Sequence, residues 1–479
     1  MKKQLIFIPV LLFSFFSIFA QQRDLVKEYE DFKNQSEQKY SNFRDSINAS
    51  FAEFMRKSWE AFDVLPPVPA PQSPEPEKPV VADPKEKPTS EPLPFDKITP
   101  LPLPTPRPEP LAPIPPSTPE TTAFSFLFYN TECKVNTNNT LRFSLPDASE
   151  KSVAQTWEKL SDSRYNALLS SCLELRNRLN LSDWGYLQML KMFSEKFLGN
   201  ESNESVLLQM YVLTQSGYKV RIARATGDRL VLLIPSQETL YYYPYLTISG
   251  KNYYAINKNS KGQSYYIFNH EFPKEQYFSW QNQQPQLMEN LTPPKIFSTT
   301  FPAEITVSIQ INQNLMDFYD DYPRTSAWNL YVRAGLSETV KQTLYPALQN
   351  AIAGKSQTEA AEILLGFLQF AFDYKTCAEQ FGYERPFFPD ENFFFPYNNC
   401  KHRATLYALL VKELLDLEVV LLHYPGHLST AVHFPENVTG DYINVEGKKF
   451  TICDPTYIGA SIGMTMNKFK STSAEVIKM

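Results

Sequence analysis

Tyr397-Asn398-Asn399-Cys400-Lys401-His402-Arg403-Ala404-Thr405-Leu406 opens the stretch that decides the fold, and Cys453-Asp454-Pro455-Thr456-Tyr457 closes it. Leu406, Leu409, Leu410 and Leu414 recur on one helical face, so the run after Cys400 reads as a helix with a buried stripe. Asn399 is a good N-cap, which puts Cys400 in the first turn. Orphan backbone N–H groups and the positive end of the helix dipole favour a thiolate there. Lys401, His402 and Arg403 add positive charge at the end where the helix itself tolerates it least, and an anion offsets that cost. Further on, Glu418–Tyr424 and His427–Phe434 read as strands around a Pro425-Gly426 turn. Alternation puts His427, Ser429, Ala431 and His433 on one face. A later strand, Lys449–Cys453, is stopped by Pro455, leaving Asp454 at its mouth.

A cysteine opening a helix, a histidine opening a strand and an aspartate closing a later strand supply what acyl transfer needs. The thiol attacks an acyl carbon, the imidazole moves the proton, and the carboxylate holds the ring's tautomer and orientation. This order, together with Gly426-His427, Asp454-Pro455-Thr456-Tyr457 and the upstream Phe381-Gly382-Tyr383-Glu384-Arg385-Pro386, resembles the transglutaminase-like superfamily, especially its secreted bacterial members. The resemblance covers roughly 298–479. It implies an α+β, papain-like core, with the Cys-bearing helix packed on an antiparallel sheet, and a triad of Cys400, His427 and Asp454. Two features depart from it. Many relatives carry acidic residues beside the cysteine, where this chain has Asn399, Lys401 and His402. The interval from His427 to Asp454 also exceeds a simple hairpin. We expect His427–Phe434 to pair with Lys449–Cys453, with 440–447 an excursion at the hairpin tip. A full strand at 441–445 would put Asp454 at the wrong end.

His423 and His433 compete with His427, but His423 precedes a turn and His433 lies six residues along, roughly 20 Å away. A zinc set of His423, His427, Cys400 and Cys453 is the bland alternative. Pro425-Gly426 breaks any helix aligning the two histidines, and Cys453 faces opposite to Asp454, so no metal and no cofactor is expected. Cys453 reads as core, Cys133 and Cys172 as a disulfide or two buried thiols, and Cys377 as a loop residue near the cleft.

Working outward, 121–297 reads as a second α+β domain. It holds a strand at 124–129, helices around 153–179, 183–198 and 204–216, and a Tyr-rich antiparallel region at 241–266. Its helix-then-strand run from Asn203 to Val220 echoes His402 to Val419. Aligning the helix exits puts Glu201 opposite Cys400, so a degenerate transglutaminase-like repeat would lack the nucleophile. Residues 65–120 are a linker: 21 of the 38 prolines lie between Pro66 and Pro119. Proline fixes φ and removes donors, so an extended spacer free of sheet or helix is expected. Residues 21–64 read as one segment whose amphipathic helix, 24–62, is roughly 58 Å long at 1.5 Å per residue, suited to packing on the body, to self-association or to partner docking.

Residues 1–20 have the form of a signal peptide: Lys2-Lys3, an apolar run to Phe19, and Ala20 at the cleavage site. Export to the periplasm, cell envelope or medium is expected. Net charge −6 and the lack of a basic stripe argue against nucleic acid. The function expected is cysteine acyl transfer on a protein or peptide substrate, as protease, amidase or cross-linker. The alternative is an inactive envelope scaffold or binding protein of the same fold.

Overall fold

Side-chain caps fix where the helices begin. Ser149, Ser182, Ser202, Ser337 and Ser356 each accept a backbone N–H in the first turn of the helix that follows. A computed structural model of the chain describes residues 9–71, 78–100, 106–114, 122–256, 264–281, 283–325, 330–331 and 333–479. Along the first helix, side chains are described from residue 27 onward, so the signal-peptide region lies largely outside the described residues. No described helix is long and apolar enough to cross a membrane.

The class is mixed α+β. Helix α1 (Pro9–Met55) is followed by β1 (Glu60–Asp63), β2 (Val80–Val81) and β3 (Phe95–Thr99). A hairpin of β4 (Ala123–Phe128) and β5 (Thr131–Asn136) precedes α2 (Glu150–Leu160), α3 (Asn166–Arg178), α4 (Asp183–Leu198) and α5 (Asn203–Gln215). Five strands follow: β6 (Arg221–Ala225), β7 (Arg229–Ser236), β8 (Tyr245–Ile248), β9 (Lys251–Ala255) and β10 (Ser264–Phe268). A second hairpin, β11 (Lys295–Thr299) with β12 (Ile305–Ile309), leads into helices including Glu338–Ile352, Gln357–Phe370 and the cysteine helix Cys400–Leu415. Then come β13 (Glu418–Tyr424), β14 (His427–His433), β15 (Tyr442–Val445), β16 (Lys448–Cys453), β17 (Tyr457–Ile458) and β18 (Ala474–Lys478).

The two large sheets share one plan. Their orders are β1-β10-β6-β7-β9-β8 and β3-β18-β13-β14-β16-β15, read from the edge supplied by the N-terminal segment. Each follows a hairpin and a core helix, and apart from β17, which pairs with β2 separately, the strands after that helix hold the same places in their sheets. Pairings match in direction except at the N-terminal edge, where β1 is antiparallel to β10 and β3 is parallel to β18. The recurrence glimpsed in sequence is thus an architecture used twice.

Three expectations need correction. The proline-rich segment is no free spacer. It pairs as β2 with β17 and as β3 with β18, because short proline-free runs (Val80–Val81, Phe95–Thr99) can serve as edges. Its later part docks on the first domain, where Arg107 donates to Leu181 (2.7 Å) and Pro108 accepts from Arg176 (3.0 Å). Gly217, at φ +91, leaves room for the Glu109 carbonyl where a Cβ would stand 2.2 Å away. Next, the first helix stops at Met55 instead of running to 64, and Glu60–Asp63 joins the first sheet as β1. Finally, 442–445 is a full strand, not an excursion. It pairs on the outer edge of β16, so β14 still lies against β16 and Asp454 keeps its place beside His427.

One apolar core runs through both domains between helices and sheets. The outward sheet faces form two smaller clusters, and the N-terminal segment covers both. Phe62 and Val64 pack on the first, and Ala82, Leu93, Phe95 and Ile98 on the second.

Candidate active site

Asn399 caps the cysteine helix as expected, its side chain accepting from the N–H groups of Lys401 and His402. Cys400 is therefore the first helical residue. Its neighbours differ from the sequence reading. The His402 ring lies flat on Phe387 (centroids 3.5 Å apart), takes the Asn399 N–H on Nδ1 and donates Nε2–H to the Arg385 carbonyl (2.9 Å). Burial first, then Lys401 and Arg385, pushes its pKa down to about 3, so it is a neutral cap and not a cation. Lys401 is buried and paired with Glu384 at 2.7 Å. Arg403 is buried and donates to the Gln369 and Phe372 carbonyls; burial lowers its pKa to about 10. The cationic cluster read from sequence thus reduces to two cations, each engaged elsewhere. The 381–386 segment braces this helix, since Glu384 holds Lys401 and the Arg385 carbonyl holds His402.

His427 opens β14, and Asp454 follows the last residue of β16. Thr430 faces Cys453 across the pair, which sets both side chains at one end of the sheet. Nε2 of His427 lies 2.8 Å from Oδ2 of Asp454. The other carboxylate oxygen accepts the Thr456 N–H at 2.9 Å. Nδ1 is buried with no partner at ordinary hydrogen-bond geometry, and Cys400 is the second side chain interacting with the ring. Burial pulls the imidazole pKa down, but the Asp454 charge and hydrogen bond, helped by Cys400, lift it to about 10. The ring is therefore held as an imidazolium by the carboxylate, with the Cys400 sulfur as its other side-chain neighbour.

The structure thus brings together Cys400, His427 and Asp454. It sets the other candidates apart. His433 Nδ1 is bonded to the Lys449 carbonyl (2.9 Å), and His423 lies 3.9 Å from Glu475. All five cysteines are free and buried, so Cys133 and Cys172 form no disulfide. Cys377 receives a bond from the Asn399 side chain (3.1 Å) and bonds the Arg385 carbonyl (3.3 Å), beneath the cap and not in a loop. Cys453 lies in the main core.

Two residues were missed from sequence. Gln369, at the end of the Gln357–Phe370 helix, donates through Nε2 to the carbonyls of Asp454, Tyr457 and Ala460 and accepts the Gly459 N–H. It pins the loop that carries Asp454. Phe469 stacks on the His427 ring (4.8 Å, 10°) and on Tyr424, fixing the ring plane. A polar Gln directly after the apolar run 363–368 was the one available signal. Phe469 had none.

The triad is sealed: Cys400 and His427 are 0 % exposed and Asp454 4 %. The N-terminal strap runs past it. β2 lies beside β17, the Tyr457 hydroxyl donates to Glu86 (2.7 Å), and Thr89 and the Glu91 N–H both bond Asp441. In the first domain the matching places carry other side chains. Leu233, three residues past Leu230, faces Ala255, just as Thr430 faces Cys453, so Leu230 and Ile256 stand where the second domain has His427 and Asp454. Asn203 opens the core helix and accepts the Leu230 N–H at 2.8 Å. The cysteine's counterpart is thus Asn203, not Glu201. No protein-family model matches the chain, and no curated protein or solved structure matches it either.

Proposed function

We propose that this protein is an exported cysteine acyl-transfer enzyme of transglutaminase-like, papain-type design, acting on amide bonds of a protein or peptide. One observation carries the reading: a buried imidazole held by a carboxylate at 2.8 Å, with a helix-tip cysteine as its other partner. In the ion pair the Cys400 thiolate adds to the acyl carbon and the His427 imidazolium gives its proton to the departing amine, leaving a thioester and a neutral ring. His427 then takes a proton from water or an incoming amine as that nucleophile attacks, and the sulfur leaves as the thiolate, restoring the ion pair. Asp454 stabilises the imidazolium and fixes its tautomer. The helix cap already uses the N–H groups of Lys401 and His402, so the Cys400 N–H is the backbone donor left for the oxyanion. The first domain has no groups for this chemistry at the matching places and acts as structural or binding partner to the second.

The sealing of the triad favours a second reading, in which the fold serves as an envelope scaffold without turnover. Peptide mapping after brief iodoacetamide treatment at pH 7 separates the two. Stoichiometric alkylation of Cys400 and loss of amide hydrolysis or amine incorporation in Cys400→Ala support the enzyme. Unchanged turnover in that variant, or a thiol inert until the protein unfolds, refutes it.

A further inference from the structure

We infer that the free part of α1 pairs with the same helix of a second copy, antiparallel and centred on Ser36. The C-terminal end of α1 is built into the first domain: Phe51, Ala52 and Met55 are buried, and the Asn48 and Gln215 side chains bond each other (2.8 and 3.3 Å). Toward the N-terminus the same apolar stripe continues, and among the described residues nothing packs on it. Tyr29 and Phe32 are each 68 % exposed, Tyr40 47 % and Phe43 50 %. An isolated helix is marginal in water, and an aromatic seam along it requires a cover.

The seam is palindromic. Counting from Ser36, Phe32 and Tyr40 lie four residues away, and Tyr29 and Phe43 seven. Turning the helix end for end lays the pattern on itself, and the steps of three and four are those of a coiled-coil seam. In a two-fold antiparallel pair Phe32 meets the second copy's Tyr40, and Tyr29 meets its Phe43. Lys27 and Asp45, nine residues from Ser36 and both exposed, point away from the seam. The like pair, Lys33 with Lys39, is relieved by Glu37, one turn from Lys33 at 3.9 Å. A parallel pair would crowd both domains at one end; the antiparallel one sends the bodies to opposite ends. At about 200 Å² per aromatic side chain, the exposed parts of these four cover roughly 900 Å² over two copies. That approaches the roughly 1,200 Å² at which specific interfaces begin.

The test uses the chain from residue 21 onward, whose native thiols are all buried. Sedimentation at tens of micromolar should give a dimer, and Phe32→Glu with Tyr40→Glu should halve the mass while leaving the melting transition of the body in place. Ser36→Cys should cross-link under mild oxidation and Ser41→Cys, on the outer face, should not. Tyr29→Cys should cross-link when mixed with Phe43→Cys and not with itself. A monomer at every concentration, cross-linking through Ser41→Cys as readily as Ser36→Cys, or Tyr29→Cys linking to itself would overturn the proposal. None of these readouts depends on the catalytic reading.

Discussion

Replacing Asp454 by Asn leaves the shape of the triad nearly unchanged and removes one charge. The Nε2 to Oδ2 distance of 2.8 Å puts the charge centres about 4 Å apart, where an effective dielectric near 20 gives about 4 kcal/mol of attraction. That is worth about three pKa units on the ring. His427, held at about 10 in the wild type, should titrate at roughly 7 in Asp454→Asn. Histidine ring carbon–proton shifts followed from pH 5 to 11 give both values. The sign of the stability effect follows from the same shift. A folded-state pKa above the unfolded value of about 6.5 contributes stability that is whole below pH 6.5 and lost as pH rises through about 10. The melting-temperature gap between wild type and variant should therefore be widest near pH 6 and close toward pH 10. Amide turnover at pH 8 should fall roughly 10²- to 10⁴-fold. A wild-type ring titrating near 6.5, or a variant ring still titrating near 10, refutes the electrostatic account of this site.

Cys400→Ala should lower turnover at least about 10³-fold with a melting temperature close to wild type, since the thiol is removed without a large cavity; loss assays and calorimetry on one preparation check both. Gln369→Ala leaves three loop carbonyls without their donor and should cost about 1–3 kcal/mol in denaturant midpoint. It should also depress turnover more than its distance from the thiol suggests. Tyr457→Phe removes the Glu86 contact between strap and triad loop, and at about 1 kcal/mol should speed Cys400 alkylation roughly fivefold if strap release admits reagent; an unchanged rate would place the entry path elsewhere.

The parts legible in sequence were those written in one stretch. Asn399 capping Cys400, the turn before His427 and the Pro455 stop each follow from local backbone chemistry, and the α+β class with them. The environment of the cations was not legible, because burial decides it: His402 reads as a charge in sequence and is a neutral, stacked cap in the fold. The strap misled for the opposite reason. Its composition describes most of its residues well, yet two proline-free runs of two and five residues are enough to join sheets as edges. The doubled architecture was faint because the first domain keeps the pattern of elements while Asn203, Leu230 and Ile256 stand in place of Cys400, His427 and Asp454. Gln369 and Phe469 reach the site from about 85 residues before Asp454 and about 40 after His427, distances no periodicity spans.

The strands β1 and β3 also have a protective office. Without them β10 and β18 would each present a bare row of backbone donors and acceptors, the usual template for cross-chain pairing and insoluble fibrils. A shortened chain beginning after residue 100 would expose both rows at once and should precipitate. Expressing the second domain in soluble form would mean carrying residues 78–99 along with it, by fusion or as a separate peptide.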